Sequence, residues 1–574
     1  LPSPTTTRRI AGFTSLGLAL FVATSEIIPH RPEQPTVVSA SEIQSKPALN
    51  NPDAVCASCH RDIYDKYQQT SMARGSGGAT EGLLPGQFHH APSDVDYKVF
   101  ARNGTDWMSY SRPASDPKGV LDGERQLQYY IGSGHRGRTY LYNEDGRWYE
   151  IPINFYTRRK AWDMAPAFDN ATTMPAPLPT DPNCLHCHTT EVQPALQDAR
   201  NHFAAAPFRQ GGIGCSACHG NPQQHLALKG YGPITNPGKL PVAQRDSACI
   251  QCHLEGDAVV YRAGRSLAQF VAGDKLDDIA VYFVRATDPR SGIRGTSQYE
   301  ALLRSACKRA AGDKLTCTTC HDPHFQPLPE QRVQYFRARC LACHTSPAMA
   351  SHHPEQPDCA TCHMPTRNTA DISHEQVTDH DIEARPVSHS RSGGDENVRL
   401  IPVGNFTAGD RELGLAYAQF AQRGDRQAGE TALHLLSKLA PTTPADVDVL
   451  VRLGYLQQVS GDLAKARLSY MAALNVNPWE PTALANLAVL DAGTGHVSEA
   501  VSLLQKLVDA DPSQSAAGLN LAYIQCKLDH KDEARSLLNR LLQSNPDDPQ
   551  LRHFAGSGDY SGGHCDLRSV ASAK

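Results

Sequence analysis

The sequence is short of what several protein classes require. It has no surplus of positive charge: 55 Lys and Arg stand against 60 Asp and Glu, a formal net charge of −5, so no basic surface for nucleic acid is implied. Its mean hydropathy of −0.44 excludes a polytopic membrane protein. The apolar run from Ile10 to Ala23 is shorter than the roughly 20 residues a membrane-spanning helix needs. No cysteine follows that run closely enough to take a lipid, the first being Cys56. Apolar residues make up only 40% of 574, slightly low for a large globular chain. Something besides side chains is therefore expected to fill part of the core.

What the chain does have is 17 cysteines and 25 histidines. Seven times it reads Cys-x-x-Cys-His: CASCH at 56–60, CLHCH at 184–188, CSACH at 215–219, CIQCH at 249–253, CTTCH at 317–321, CLACH at 340–344 and CATCH at 359–363. Chance would give about 0.02 such pentads in a chain of this composition. The pentad is the attachment site of c-type haem: two thiols add to the porphyrin vinyl groups, and the next histidine binds the iron. A zinc ribbon needs the cysteine pairs but not a histidine after each. A ferredoxin packs its cysteines more densely, and a disulfide framework leaves the histidines unexplained.

Seven covalent haems c are thus expected. They would be held by Cys56, Cys59, Cys184, Cys187, Cys215, Cys218, Cys249, Cys252, Cys317, Cys320, Cys340, Cys343, Cys359 and Cys362. The proximal ligands would be His60, His188, His219, His253, His321, His344 and His363. Only Cys307, Cys526 and Cys565 remain. Twelve further histidines fall in 51–390 and five in the last 184 residues, so histidine follows the pentads. An arbitrary one of the twelve serves as readily on the surface or in a hydrogen bond. Context favours His225 and His324, a few residues past CSACH and CTTCH, where a histidine reaches a neighbouring haem more easily than its own. His374 and His380 in HEQVTDH, His90 in FHHAPS and His135 in IGSGHRGRTY are the other distal candidates. His186 lies inside a pentad and suits a structural role.

Along the chain, 1–25 reads as an export signal, with Arg8 and Arg9 before the apolar run, and 26–50 as a linker. The haem domain spans 51–384. Fifteen of the 39 aromatics fall within 88–168, where alternating runs flank Asn103–Gly104 and Asp145–Gly146, so a small β-rich insertion is expected there. Residues 385–410 have linker composition. Pro444, Pro478, Pro512 and Pro546 recur every 34 residues, as do Ala432, Ala466, Ala500 and Ala534. That is the tetratricopeptide period, and it predicts an α-solenoid over 411–547, followed by a loose tail at 548–574. The fold class expected is mainly α.

The chain resembles bacterial multihaem c-type cytochromes that carry a C-terminal tetratricopeptide array. The resemblance rests on CASCHRDIYDKYQQTSMAR, FHHAPS, YYIGSGHRGRTYL, CSACHG…H, SACKRAAGDKLTCTTCHDPH and CATCHMP…HEQVTDHDI. The opening motif is similar to that of smaller tetrahaem cytochromes that accept electrons from hydroxylamine oxidoreductase. The resemblance implies a periplasmic or cell-surface electron-transfer protein, not integral to the membrane once its signal is removed. It supports His90, His225, His324, His374 and His380 as distal ligands. Redox partner proteins, and a peptide or protein docked on the repeats, are the expected partners. The alternative is a multihaem oxidoreductase acting on nitrite, hydroxylamine or a sulfur oxyanion at one open iron. No Cys-x-x-Cys-Lys pentad, which often marks such a haem in nitrite reductases, is present.

Overall fold

The computed structural model describes residues 49, 51–286, 293–346, 356–372, 374–383, 398–439 and 445–556. The expected export signal, all of the expected linker at 26–50 but residue 49, half of that at 385–410, Pro444 and the tail from 557 lie outside the described residues. The chain divides into two compact units. One is 49–487, and the second contains 488–574.

The β-rich part of the first unit is larger than a small insertion. Ten strands form one antiparallel sheet: β1 (Ser76–Gly78), β2 (Gly86–His90), β3 (Val95–Arg102), β4 (Thr105–Arg112), β5 (Leu121–Ile131), β6 (Gly137–Glu144), β7 (Arg147–Glu150), β8 (Ile153–Tyr156), β9 (Ala161–Met164) and β10 (Leu178–Pro179). Their order is β10-β7-β6-β5-β4-β3-β2, with β1 on β5 and β8 between β6 and β9. Both expected turns form. Asn103 and Gly104 have φ of 53° and 77°, Asp145 and Gly146 of 51° and 80°, the left-handed pair that a tight hairpin demands. Alternation sets the faces: Val95, Tyr97 and Val99 of β3 and Met108 and Tyr110 of β4 are buried together. Arg112, 1% exposed, is tolerated there because its guanidinium donates to the carbonyls of Ser93, Lys118 and Gly119.

Burial holds the Glu150 carboxyl on β7 up at about 7, against 4.5 when unperturbed. The folded chain then binds that proton more tightly than the unfolded one. This stabilisation is complete below about pH 4.5 and is lost as pH rises through about 7. Glu150→Gln is expected to remove that part of the pH dependence, worth at most roughly 3 kcal/mol. Urea midpoints of both proteins at pH 5 and 8 measure it. Equal slopes against pH would contradict the assignment.

Between the sheet and residue 410 the described residues make only short elements. β11 (Thr189–Val192) pairs with β12 (Phe208–Gly211), and β15 (Thr366–Asn368) with β16 (Gln376–Thr378). β13 (Ala258–Tyr261), β14 (Ala280–Arg285) and β17 (Leu400–Pro402) form a three-stranded sheet. β17 lies inside the segment whose composition suggests a linker, so that segment is at least partly structural.

Helices follow from 410 in pairs. Asp410–Gln422 and Arg426–Leu439 form the first pair, Val447–Val459 and Leu463–Val476 the second. Pro481–Gly493 with Val497–Ala510 and Ser515–Lys527 with Lys531–Ser544 continue the series, and Pro549–Gly556 ends it. Helix starts at 447, 481, 515 and 549 keep the 34-residue period. The first pair begins 37 residues before the second, because the connection between them is longer. A β-carbon on Gly454 would meet the Tyr470 ring at 2.7 Å. Thirty-four and 68 residues on, Ala488 and Ala522 replace the glycine, and Leu504 and Leu538 replace the tyrosine. Among the described residues no helix is long and apolar enough to cross a membrane.

Candidate haem sites

Every pentad sits at a helical turn. CASCH overlaps the turn Pro52–Ser58, CLHCH lies on Pro182–His186, CSACH fills Cys215–His219, CIQCH ends Val242–Ile250, CTTCH begins at Cys317–Cys320, CLACH ends Arg332–Leu341 and CATCH fills Cys359–His363. Residues three apart on such a turn share a face, so both thiols point one way. The turn continues into the histidine: the amides of His60, His253, His321 and His344 donate to the carbonyls of Cys56, Cys249, Cys317 and Cys340 at 2.8–3.1 Å. Three turns are capped locally, CTTCH by a capping box at Thr316. Asp181 accepts from the Asn183 amide at 2.7 Å, and Asp358 from the Ala360 amide at 3.0 Å.

Five of the imidazoles are held in one tautomer. Nδ1 of His219, His225, His363 and His380 donates to the carbonyls of Thr235, Gly232, Glu383 and Thr378, at 2.9, 3.0, 2.7 and 3.0 Å. A carbonyl only accepts, so the proton is on Nδ1 and the Nε2 lone pair is left for a metal. His253 does the same to Gln298 Oε1 at 3.2 Å. Burial, with His380, His253 and Arg332 nearby, pushes His321 down to about 4. Burial also lowers His188, His253, His324 and His380. These rings are neutral at pH 7, the form a metal binds.

Three pentad histidines face a second histidine ring. His60 and His225 have centroids 6.5 Å apart and planes 16° apart. His219 and His324 lie at 6.0 Å and 12°, and His321 and His380 at 6.2 Å and 26°. Two imidazoles bound on opposite sides of one metal, with bonds of about 2.0 Å, have centres roughly 6.3 Å apart. The residues present therefore fit bis-histidine iron at these three pentads. In the first two pairs the partner comes from just beyond a different pentad, as the sequence context suggests.

The other distal candidates are not brought opposite a pentad histidine among the described residues. His90 ends β2 with Nδ1 2.7 Å from Ser93 Oγ. His374 has Nε2 3.4 Å from Asp163 and its ring edge-on to Tyr156 at 5.4 Å. His135 lies between β5 and β6, its affinity for a proton lowered by burial and by Arg136 and Arg332. His186 places Nε2 on Gln251 Oε1 at 2.6 Å, the structural role expected of it.

The pentads also meet one another. The thiols of Cys56 and Cys215, Cys187 and Cys252, Cys249 and Cys317, and Cys340 and Cys359 are within hydrogen-bonding reach. Cys218 acts on the ionisation of Cys252, and Cys343 on that of Cys320. These contacts join residues up to 159 positions apart and leave no mark in the sequence. The carbonyls that orient the imidazoles are equally silent, being main-chain groups.

Three segments match known families. Residues 156–220 match cytochrome c554 and c-prime, 309–349 match the doubled CXXCH motif, and 492–556 match the tetratricopeptide repeat. Together they show the combination found in a multihaem c-type cytochrome with tetratricopeptide repeats. Among solved structures, MamA of AMB-1 is 22% identical over 25% of this chain and 76% of its own, with a TM-score of 0.23. A tetratricopeptide repeat protein from Parabacteroides merdae is 24% identical over 26% and 62%, with a TM-score of 0.23. Pseudomonas aeruginosa pilF is 20% identical over 29% and 80%, also at 0.23. A comparison with curated proteins found no match.

Proposed function

We propose that this chain carries seven covalent haems c and conducts electrons along them, with its repeats docking a partner protein. The observation that carries this reading is the set of three opposed histidine pairs, each including a pentad histidine. Haem supplies one-electron exchange between ferric and ferrous iron. The protein's part is to hold both axial ligands, exclude water and bring successive attachment sites together. The thiol contacts order the sites as first, third, fourth, fifth, sixth and seventh, with the second branching from the fourth. The expected setting is the periplasm or the outer cell surface.

The pure conduit requires six-coordinate, low-spin iron throughout. Electron paramagnetic resonance of the oxidised holoprotein should therefore show no high-spin ferric signal. Such a signal would favour the second reading, an oxidoreductase acting on nitrite, hydroxylamine or a sulfur oxyanion. One observation supports that alternative: His135 stands with Arg136 and Arg332, a cationic setting that suits an anion. Turnover of these three substrates by the purified holoprotein separates the readings.

Gly232 supplies the carbonyl that orients His225, and a β-carbon there would meet the Gln224 carbonyl oxygen at 2.2 Å. Gly232→Ala must displace this loop. It is expected to weaken the sixth ligand of the first iron, read as partial high-spin character at one haem in seven. An unchanged spectrum would show that the loop does not control His225.

A further inference from the structure

Asp53 precedes the first pentad by three residues, yet its carboxylate serves the third. It is 5% exposed. Both oxygens lie 3.1 Å from the Cys215 amide, which begins the CSACH helix, and Oδ2 accepts from Gln210 Nε2 at 2.7 Å. One carboxylate oxygen and the sulfurs of Cys56 and Cys215 all lie within 4.8 Å of one another. With both sulfurs committed to thioethers, this trio is not a thiolate metal site. What remains is a buried charge set between two attachment sites.

Among the described residues, no Lys, Arg or His makes an ion pair with Asp53. A buried carboxylate without a cationic partner is costly. The Cys215 amide and Gln210 Nε2 donate to it and offset part of that cost. A negative charge at this range stabilises ferric over ferrous iron, because oxidation adds a positive charge nearby. Charge near a haem is among the controls a protein has over its potential.

We propose that Asp53 is a positioning residue that joins the first and third haem sites, and that its charge holds the reduction potentials of those two haems down. The inference rests on the seven-haem reading. The test is a spectroelectrochemical titration of full-length holoprotein beside Asp53→Asn, with haem content measured separately by pyridine haemochrome. Asparagine retains an oxygen for the Cys215 amide and removes the charge. Two of the seven midpoints should rise together while the other five and the haem count hold. Unchanged midpoints would overturn the proposal and leave Asp53 as a helix cap.

If Asp53→Asn does not incorporate haem, Gln210→Ala decides. It removes one donor from the carboxylate and should shift the same pair of midpoints while the other five hold. No shift there would also overturn the proposal. A wild-type holoprotein lacking the first or third haem would instead refute the seven-haem reading itself.

Discussion

A chain ending at residue 408 is expected to lose its fold in the haem-bearing part, while one ending at 479 keeps it. The sequence suggests the opposite for 408, since a period change follows it. In the structure, the helix Asp410–Gln422 closes the core of the sheet β13-β14-β17. Val260, Val281, Phe283 and Leu400, none more than 5% exposed, share one cluster with Leu415, Ala416, Ala418 and Phe420. Polar contacts fix the same seam. Gln419 Nε2 donates to the Val259 carbonyl at 2.6 Å and Arg411 to that of Tyr261 at 2.7 Å. Arg262 reaches Glu412 at 3.4 Å.

Exposing four such side chains costs about 1.5–3 kcal/mol each, in total comparable to the roughly 5–15 kcal/mol that stabilises a whole domain. Ending at 479 leaves both first helix pairs in place, including Val449, Leu453 and Leu456 of the same cluster. Haem incorporation and resistance to proteolysis measure the contrast. Full incorporation by the chain ending at 408 would contradict it. The longer chain also isolates the docking role proposed for the later repeats. It should retain haem spectra and lose partner binding, and retained binding would refute that role.

Replacing His225, His324 or His380 by alanine is expected to convert one iron from low to high spin and leave the other six unchanged. Each ring faces a pentad histidine at 6.0–6.5 Å, and Nδ1 of His225 and of His380 is tied to a carbonyl. Removing the ring leaves the proximal side intact, so haem content should stay the same. His186→Ala serves as the control, since its Nε2 is taken by Gln251. Electron paramagnetic resonance at low temperature reads the result. A low-spin spectrum unchanged in His225→Ala would show that the opposed ring does not reach iron.

What was legible in the sequence was local. The pentads need only five residues, the two hairpin turns two each, and the repeat helices a fixed period. His225 and His324 were legible because each follows a pentad closely. Their partners in the first and third pentads were not, because pairing across more than a hundred residues depends on the whole chain. The linker reading of 385–410 met its limit at β17, three residues ending in proline at a sheet edge, too short to show a pattern. The sheet outgrew its expected bounds because β1 and β10 at its margins, Ser76–Gly78 and Leu178–Pro179, are equally brief. Asp53 looked like any acid before a pentad, since its work is done for residue 215.

The most direct test of the account is the number of haems that remain bound to the purified chain after denaturation and acidified-solvent extraction, by pyridine haemochrome and intact mass together. Seven per chain is the expected result. Fewer than seven, or haem that extracts, would contradict it.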